Sequence, residues 1–148
     1  MKKGLIIFII TLFITTATFA QQSRIHAIKV AYISDKLHLP ASTATQFWPV
    51  YNKYDEESHN IRKGFYQKYK NTNPKAVDDA TARKFVDDDL DYQQDMVALR
   101  RKYHNQFLTI LTPQQLATLY KSEREFRAML IRQLKERHTE KGALSTNK

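Results

Sequence analysis

Residues 47–69, FWPVYNKYDEESHNIRKGFYQKY, carry the clearest structural signal in the chain. Large side chains recur there at intervals of four and three: Phe47, Tyr51, Tyr54, Ser58, Ile61, Phe65 and Tyr69. Such intervals place every member on one face of an α-helix, and only Ser58 interrupts the apolar series. The stretch predicts a long amphipathic helix from about Ser42 to Lys70.

Three prolines divide the rest of the chain where the apolar periodicity breaks: Pro40, Pro74 and Pro113. They leave further helical segments at about 24–37, 78–110 and 113–137. The series of the third segment is Ala82, Phe85, Val86, Leu90, Met96, Leu99, Tyr103, Phe107 and Leu111. No stretch alternates with period two over the length of a strand. The predicted fold class is therefore all-α, with two long helices and shorter partners.

The length of the two long segments bears on function. About 30 residues at 1.5 Å each give a helix of roughly 45 Å, whereas a compact globule of roughly 130 residues would be about 36 Å across. Either the helices bend, for which Pro49 is a candidate, or the molecule is elongated. In the second case we expect apolar surface that meets a second copy or a client polypeptide.

The chain begins with a segment typical of a secretory signal peptide. Lys2 and Lys3 precede an apolar run, and small Thr18 and Ala20 stand where signal peptidase reads. The apolar run is shorter than the roughly 20 residues of a membrane-spanning helix. We expect a signal peptide at 1–20 cleaved after Ala20, a periplasmic helical domain at 21–140 and a disordered tail at 141–148.

The amino-acid composition limits the kinds of protein and of binding partner that remain. Cleavage would leave 128 residues, one domain's worth. The chain has no cysteine, which excludes disulfides and thiolate metal sites. Its net charge is +9, of which about +7 stays in the exported part. Export separates the protein from most nucleic acid, so unfolded or acidic polypeptides are the expected partners. Contact with an anionic membrane surface is a weaker alternative.

The pentapeptide Leu111-Thr112-Pro113-Gln114-Gln115 predicts the start of a helix. Thr112 can cap it by accepting the backbone N–H of Gln115, and the Gln115 side chain can reach back to the Thr112 N–H. Pro113 suits the first helical position because its missing N–H costs nothing there. Leu111 would pack against the first turn.

A similar helix start occurs 72 residues earlier. Residues 39–54, LPASTATQFWPVYNKY, align with residues 111–126, LTPQQLATLYKSEREF. In this alignment Leu39 matches Leu111, and Phe47 matches Leu119. The repeat suggests two similar helix-turn-helix units packed antiparallel.

With this motif the chain resembles the Spy/CpxP family of periplasmic proteins, which carry two LTxxQ motifs on a helical hairpin behind a signal peptide. Leu111, Thr112 and Gln115 match the motif. The first copy departs from it, since Pro40 and Thr43 replace Thr and Gln; Ser42 is the alternative cap there. The resemblance covers most of the exported chain.

The resemblance implies an elongated antiparallel four-helix cradle that forms a homodimer. It also implies an ATP-independent holdase chaperone that binds unfolded clients on a basic, partly apolar helical surface. The candidate client or dimer surface is Phe47, Trp48, Tyr51, Tyr54, Arg124 and Arg127. The alternative, also implied by the family, is an envelope-stress regulator or zinc-responsive sensor without general chaperone activity.

The sequence lacks the patterns typical of catalysis. The five histidines are scattered, and Glu56-x-x-His59 occurs once where a di-iron bundle needs two copies. No nucleophile pattern or glycine-rich phosphate loop is present. We predict no enzyme activity, no catalytic residue, no cofactor and no metal site, and leave weak zinc binding open.

Overall fold

A computed structural model describes residues 24–146. The predicted signal peptide, residues 1–20, and the last two residues of the predicted tail lie outside that range. Across residues 24–146 the chain forms four helices and no strand, which confirms the all-α prediction. The helices are α1 (described over residues 24–37), α2 (Ala41–Tyr69), α3 (Asp79–Leu108) and α4 (Pro113–Thr146).

These residues divide into two compact units. The hairpin unit, Leu39–Leu116, contains α2, α3 and the first turn of α4. The terminal unit comprises the described residues through His38 together with those from Ala117 onward, and it contains α1 and most of α4.

In the hairpin unit, α2 and α3 pack antiparallel through aromatic side chains. Phe47, near the start of α2, lies 6.0 Å from Phe107 near the end of α3, measured between ring centroids. Further along, Phe65 stacks on Tyr92 at 4.9 Å. The two long helices predicted from the apolar spacing are therefore confirmed as partners.

The turn between α2 and α3 uses local side-chain caps. The Asn73 side chain accepts a hydrogen bond from the Lys75 backbone N–H at 3.1 Å, and Pro74 follows it in the turn. Asp78 caps α3 by accepting the Thr81 N–H at 2.7 Å, as expected of aspartate at this position.

In the terminal unit, α1 packs against α4. The Tyr32 ring lies 5.7 Å from Phe126, and its hydroxyl donates to Glu125 at 3.1 Å. The buried apolar residues of this unit are Ile33, Leu37, Leu119 and Phe126. After Leu37 the chain leaves the helix through His38, whose φ of 46° lies in the left-handed region that commonly ends helices.

Two predicted details are wrong. Helix α4 does not end near Arg137 but continues to Thr146, because residues 135–144 are mostly good helix formers. The segment predicted as a disordered tail, 141–148, is thus helical through Thr146. Ser42 does not cap α2 either, since α2 begins at Ala41 and Pro40 precedes it without any side-chain cap.

Pro49 lies inside α2, and the helix continues through it. Across residues 24–146, no helix is both long and apolar enough to cross a membrane.

Candidate functional site

The LTxxQ motif forms the reciprocal cap that its sequence predicts. The Thr112 hydroxyl accepts the Gln115 backbone N–H at 3.2 Å, and the Gln115 side-chain oxygen accepts the Thr112 N–H at 2.9 Å. Two donors at the start of α4 are satisfied in this way. Leu111 is buried. These residues position a helix, and none of them presents reactive chemistry.

The internal repeat has a structural counterpart. Helices α2 and α4 begin at Ala41 and Pro113, the same 72 residues apart as the aligned sequences. The matched pair Phe47 and Leu119 is fully buried, and so is the pair Tyr54 and Phe126. The first copy lacks the side-chain cap, as its missing Thr and Gln predict. Leu39, its first residue, is half-buried.

Half of the candidate client surface is a core instead. Phe47, Tyr51 and Tyr54 are at most 1 % exposed. The Tyr54 ring, for example, lies 5.5 Å from Tyr103 and 5.5 Å from Phe107, edge-on to both. The expectation that these three aromatics bind a client or a second copy is therefore corrected, because all three are already buried in the folded chain.

The other members of that surface remain at least partly accessible. Trp48 is half-buried against Phe47 at 4.9 Å. In the terminal unit Arg124 is exposed and Arg127 is half-buried. The basic part of the predicted surface is thus available in the folded chain, whereas most of its aromatic part is not.

Burial in the hairpin unit is confined to one half of each long helix. The buried residues of α2 run from Phe47 to Ser58, and those of α3 run from Leu99 to Phe107. From residue 59 to residue 98 no side chain is fully buried. The half of the hairpin next to the α2–α3 turn therefore leaves apolar side chains in contact with solvent.

A row of exposed aliphatic residues lies in this half, along α3. Val86, Leu90 and Val97 are 55, 60 and 48 % exposed. At 100° per residue they lie within about 40° of one another, roughly 130° from the face that meets α2. We call these three residues the outer stripe. Val86 and Leu90 belong to the apolar series of this segment, but α2 covers only the other face of α3, so their side chains stay exposed.

Basic side chains flank the outer stripe. Arg83 and Arg101 are exposed, and by the same helical geometry they lie within about 40° of the centre of the stripe. By the same geometry the exposed Asp79, near the start of α3, also lies on this face. The outer stripe is thus an apolar row with charged neighbours, two of which are arginines. A solvent-exposed apolar row with charged neighbours is typical of surfaces that bind other polypeptides.

Two ion-pair networks join α2 to α3. Glu57 accepts hydrogen bonds from the Tyr103 hydroxyl at 2.8 Å and from Lys102 at 2.7 Å. The hydrogen bond from Lys102 is the main reason that the pKa of Glu57 lies below its usual value. Burial, together with the bond to Glu57, raises the pKa of Tyr103 to about 12.

The second network lies near the α2–α3 turn. Asp88 accepts hydrogen bonds from Lys68 and Tyr69 on α2, and from Lys84 on its own helix at 3.3 Å. The bond from Lys68, followed by that from Tyr69, lowers the pKa of Asp88 to about 2. The network links α2 to α3 in the half of the hairpin that has no fully buried side chain.

Replacing Asp88 with asparagine should weaken the acid dependence of unfolding. The pKa of Asp88 is about 2 in the folded chain and about 3.9 in an unfolded one. Its contribution to stability is therefore present above about pH 4 and is lost as the pH falls toward 2. Urea unfolding measured at pH 2, 3, 4 and 7 should show a flatter acid limb for Asp88→Asn. Asp87→Asn, at an exposed neighbour, is the control, and equal slopes for both variants would contradict the assignment.

The side chains described in residues 24–146 contain no group of three or more His, Asp or Glu residues able to hold a metal ion. Glu56 and His59 are both exposed. The structure thus offers an exposed apolar helix face with neighbouring arginines as its candidate functional site. Comparison with models of protein families, with curated proteins and with solved structures finds no match to this chain.

Proposed function

We propose that the protein is an exported, ATP-independent holdase that binds unfolded polypeptides on the outer stripe of α3. The observation that carries the proposal is the exposure of Val86, Leu90 and Val97 on one face of a long helix. Burial of a fully exposed aliphatic side chain contributes roughly 1.5–3 kcal/mol. These three are about half exposed, so each would contribute about half of that on binding.

The charge of this face supports polypeptide clients. Arg83 and Arg101 flank the stripe, and their long side chains can contact apolar groups while their guanidinium groups reach acidic or backbone acceptors. Such contacts do not depend on one particular client sequence. A holdase needs this property because it binds many different unfolded chains. The proposal agrees with what the LTxxQ resemblance implies, and it moves the client surface from the buried aromatics of α2 to α3.

Export and self-association belong to the same proposal. The lysine-led apolar segment at residues 1–20 supports secretion to the periplasm with cleavage after Ala20. The LTxxQ resemblance supports a homodimer as the working form.

The test is aggregation suppression by the chain purified from the periplasmic fraction. Wild-type protein should suppress aggregation of an unrelated unfolding client without nucleotide. The variant V86Q/L90Q/V97Q should need at least about fivefold more protein for the same effect, because glutamine keeps the helix but removes the apolar surface. Mass spectrometry of the sample should show Gln21 as the first residue, and sedimentation should show a dimer.

The matched control is I131Q/L134Q, which removes two exposed apolar side chains from α4 and should leave suppression unchanged. No suppression by an equimolar or higher amount of wild-type dimer would overturn the holdase proposal. That result together with zinc-dependent assembly would favour the sensor alternative instead.

A further inference from the structure

A shallow groove lies between the last third of α2 and the middle of α3, on a face of α3 different from the outer stripe. Its volume is about 290 Å³. Residues of both helices line it, among them Ile61, Gly64, Phe65, Asp91, Tyr92 and Asp95. We call it the acidic groove.

The charges of the groove are not balanced. Lys68 and Asp88 also line it, but they pair with each other. Asp91 and Asp95 are exposed, and neither has a hydrogen bond or ion pair with any side chain that the structure describes. Carboxylates four residues apart on a helix repel each other. A cation placed between them would relieve that repulsion, and it would do so in a chain whose net charge is +9.

The wall beside these carboxylates is apolar. The rings of Phe65 and Tyr92 stack at 4.9 Å, and Ile61 lies on the same side of the groove. All three are only half-buried. A hydrated metal ion gains nothing from such a wall. An apolar stem that ends in a positive charge fits both parts of the groove, and lysine and arginine side chains have that form.

Gly64 is one of the residues that line the groove. A Cβ atom added at this position would meet no atom within 4 Å, so packing does not require glycine here. Glycine destabilises the interior of a helix relative to alanine. A side chain larger than that of alanine would extend from this position into the groove, since Gly64 lines it.

We propose that the acidic groove binds a lysine or arginine side chain of an extended polypeptide. The stem lies along the apolar wall, and the charged end lies between Asp91 and Asp95. This site goes beyond the proposed holdase surface, since it lies on another face of α3 and does not depend on suppression of aggregation.

The test measures peptide binding by fluorescence anisotropy with the full exported chain. The probe is a labelled peptide of alternating arginine and leucine, and its neutral counterpart carries citrulline in place of arginine. The arginine peptide should bind at least about tenfold more tightly, although the net charge of the protein opposes it. Gly64→Leu should weaken its binding about tenfold or more by filling the groove, whereas Gly64→Ala should retain it.

The variant D91N/D95N tests the carboxylates. It should also weaken binding of the arginine peptide about tenfold and reduce the salt dependence of that binding. The control D35N/D87N removes the same charge at exposed positions outside the groove. Circular dichroism checks that each variant stays helical, and both Gly64 variants should be at least as helical as wild type.

Four results would overturn the proposal. Equal binding by Gly64→Leu and Gly64→Ala would show that the groove is not the site. An equal loss of peptide binding in D35N/D87N would show that the effect comes from the overall charge of the protein and not from the groove. Displacement of the peptide by millimolar calcium or magnesium at constant ionic strength, or a loss of dimer in Gly64→Leu, would assign the groove to a metal ion or to a second copy.

Discussion

Replacing Phe107 with alanine should lower the free energy of unfolding by about 3–5 kcal/mol. Phe107 is fully buried, and its ring lies within 6.1 Å of the rings of Phe47, Tyr54 and Tyr103. Removal of this ring leaves a cavity at the centre of the aromatic contact between α2 and α3. Small domains are stable by only about 5–15 kcal/mol, so the loss would be a large fraction of the total.

Urea unfolding followed by circular dichroism measures this effect. The control is Leu108→Ala, at the neighbouring position of the same helix, where the side chain is 38 % exposed. It should cost less than about 1 kcal/mol. A similar small loss for Phe107→Ala would mean that the aromatic core is not the main source of stability of the hairpin unit.

The spacing of residues 47–69 was sufficient to predict the long helix α2. The proline positions and the reciprocal cap at Thr112 and Gln115 located the start of α4. These predictions succeeded because helix periodicity and capping depend on residues close together in the sequence. The apolar series of α3 was found for the same reason.

The candidate surface was harder to predict because it depends on which face of each helix meets a partner. Phe47 and Tyr54 are as compatible with a binding surface as with a core, and only the position of α3 shows that they are buried. On α3 the apolar residues form two rows, one with Phe107 and one with Val86. Helical spacing alone put both rows into one apolar series, although α2 covers only one of them.

The acidic groove left a weaker signal in the sequence. Asp91 and Asp95 stand four residues apart, a spacing that is unfavourable on an isolated helix and so calls for a compensating charge. The residue that compensates Asp88 is Lys68 on α2. The apolar wall depends on the register between α2 and α3, since it brings Phe65 beside Tyr92. Register between helices is a tertiary property, and the spacing within either helix does not determine it.

The distribution of burial connects the fold to the proposed function. One half of the hairpin holds the aromatic core around Phe107, and the other half is held by half-buried rings and the Asp88 network. The outer stripe and the acidic groove both lie mainly in the second half. Apolar surface can remain exposed there because the first half supplies the stability of the hairpin unit.

Replacing Phe126 with alanine should also cost about 3–5 kcal/mol, in this case in the terminal unit. Phe126 is buried and packs against Tyr32 of α1. The 14 described residues of α1 are about the length at which an isolated helix is only marginally stable in water, so α1 depends on packing against α4. The variant should therefore lose helical signal as well as stability. Hydrogen exchange read by mass spectrometry should show faster exchange in residues 24–37.

The control is Leu134→Ala on the same helix, where the side chain is 55 % exposed and the cost should stay below about 1 kcal/mol. Unchanged exchange in residues 24–37 would mean that contacts other than Phe126 hold α1 in place, such as the approach of Lys29 to Glu123 at 4.0 Å.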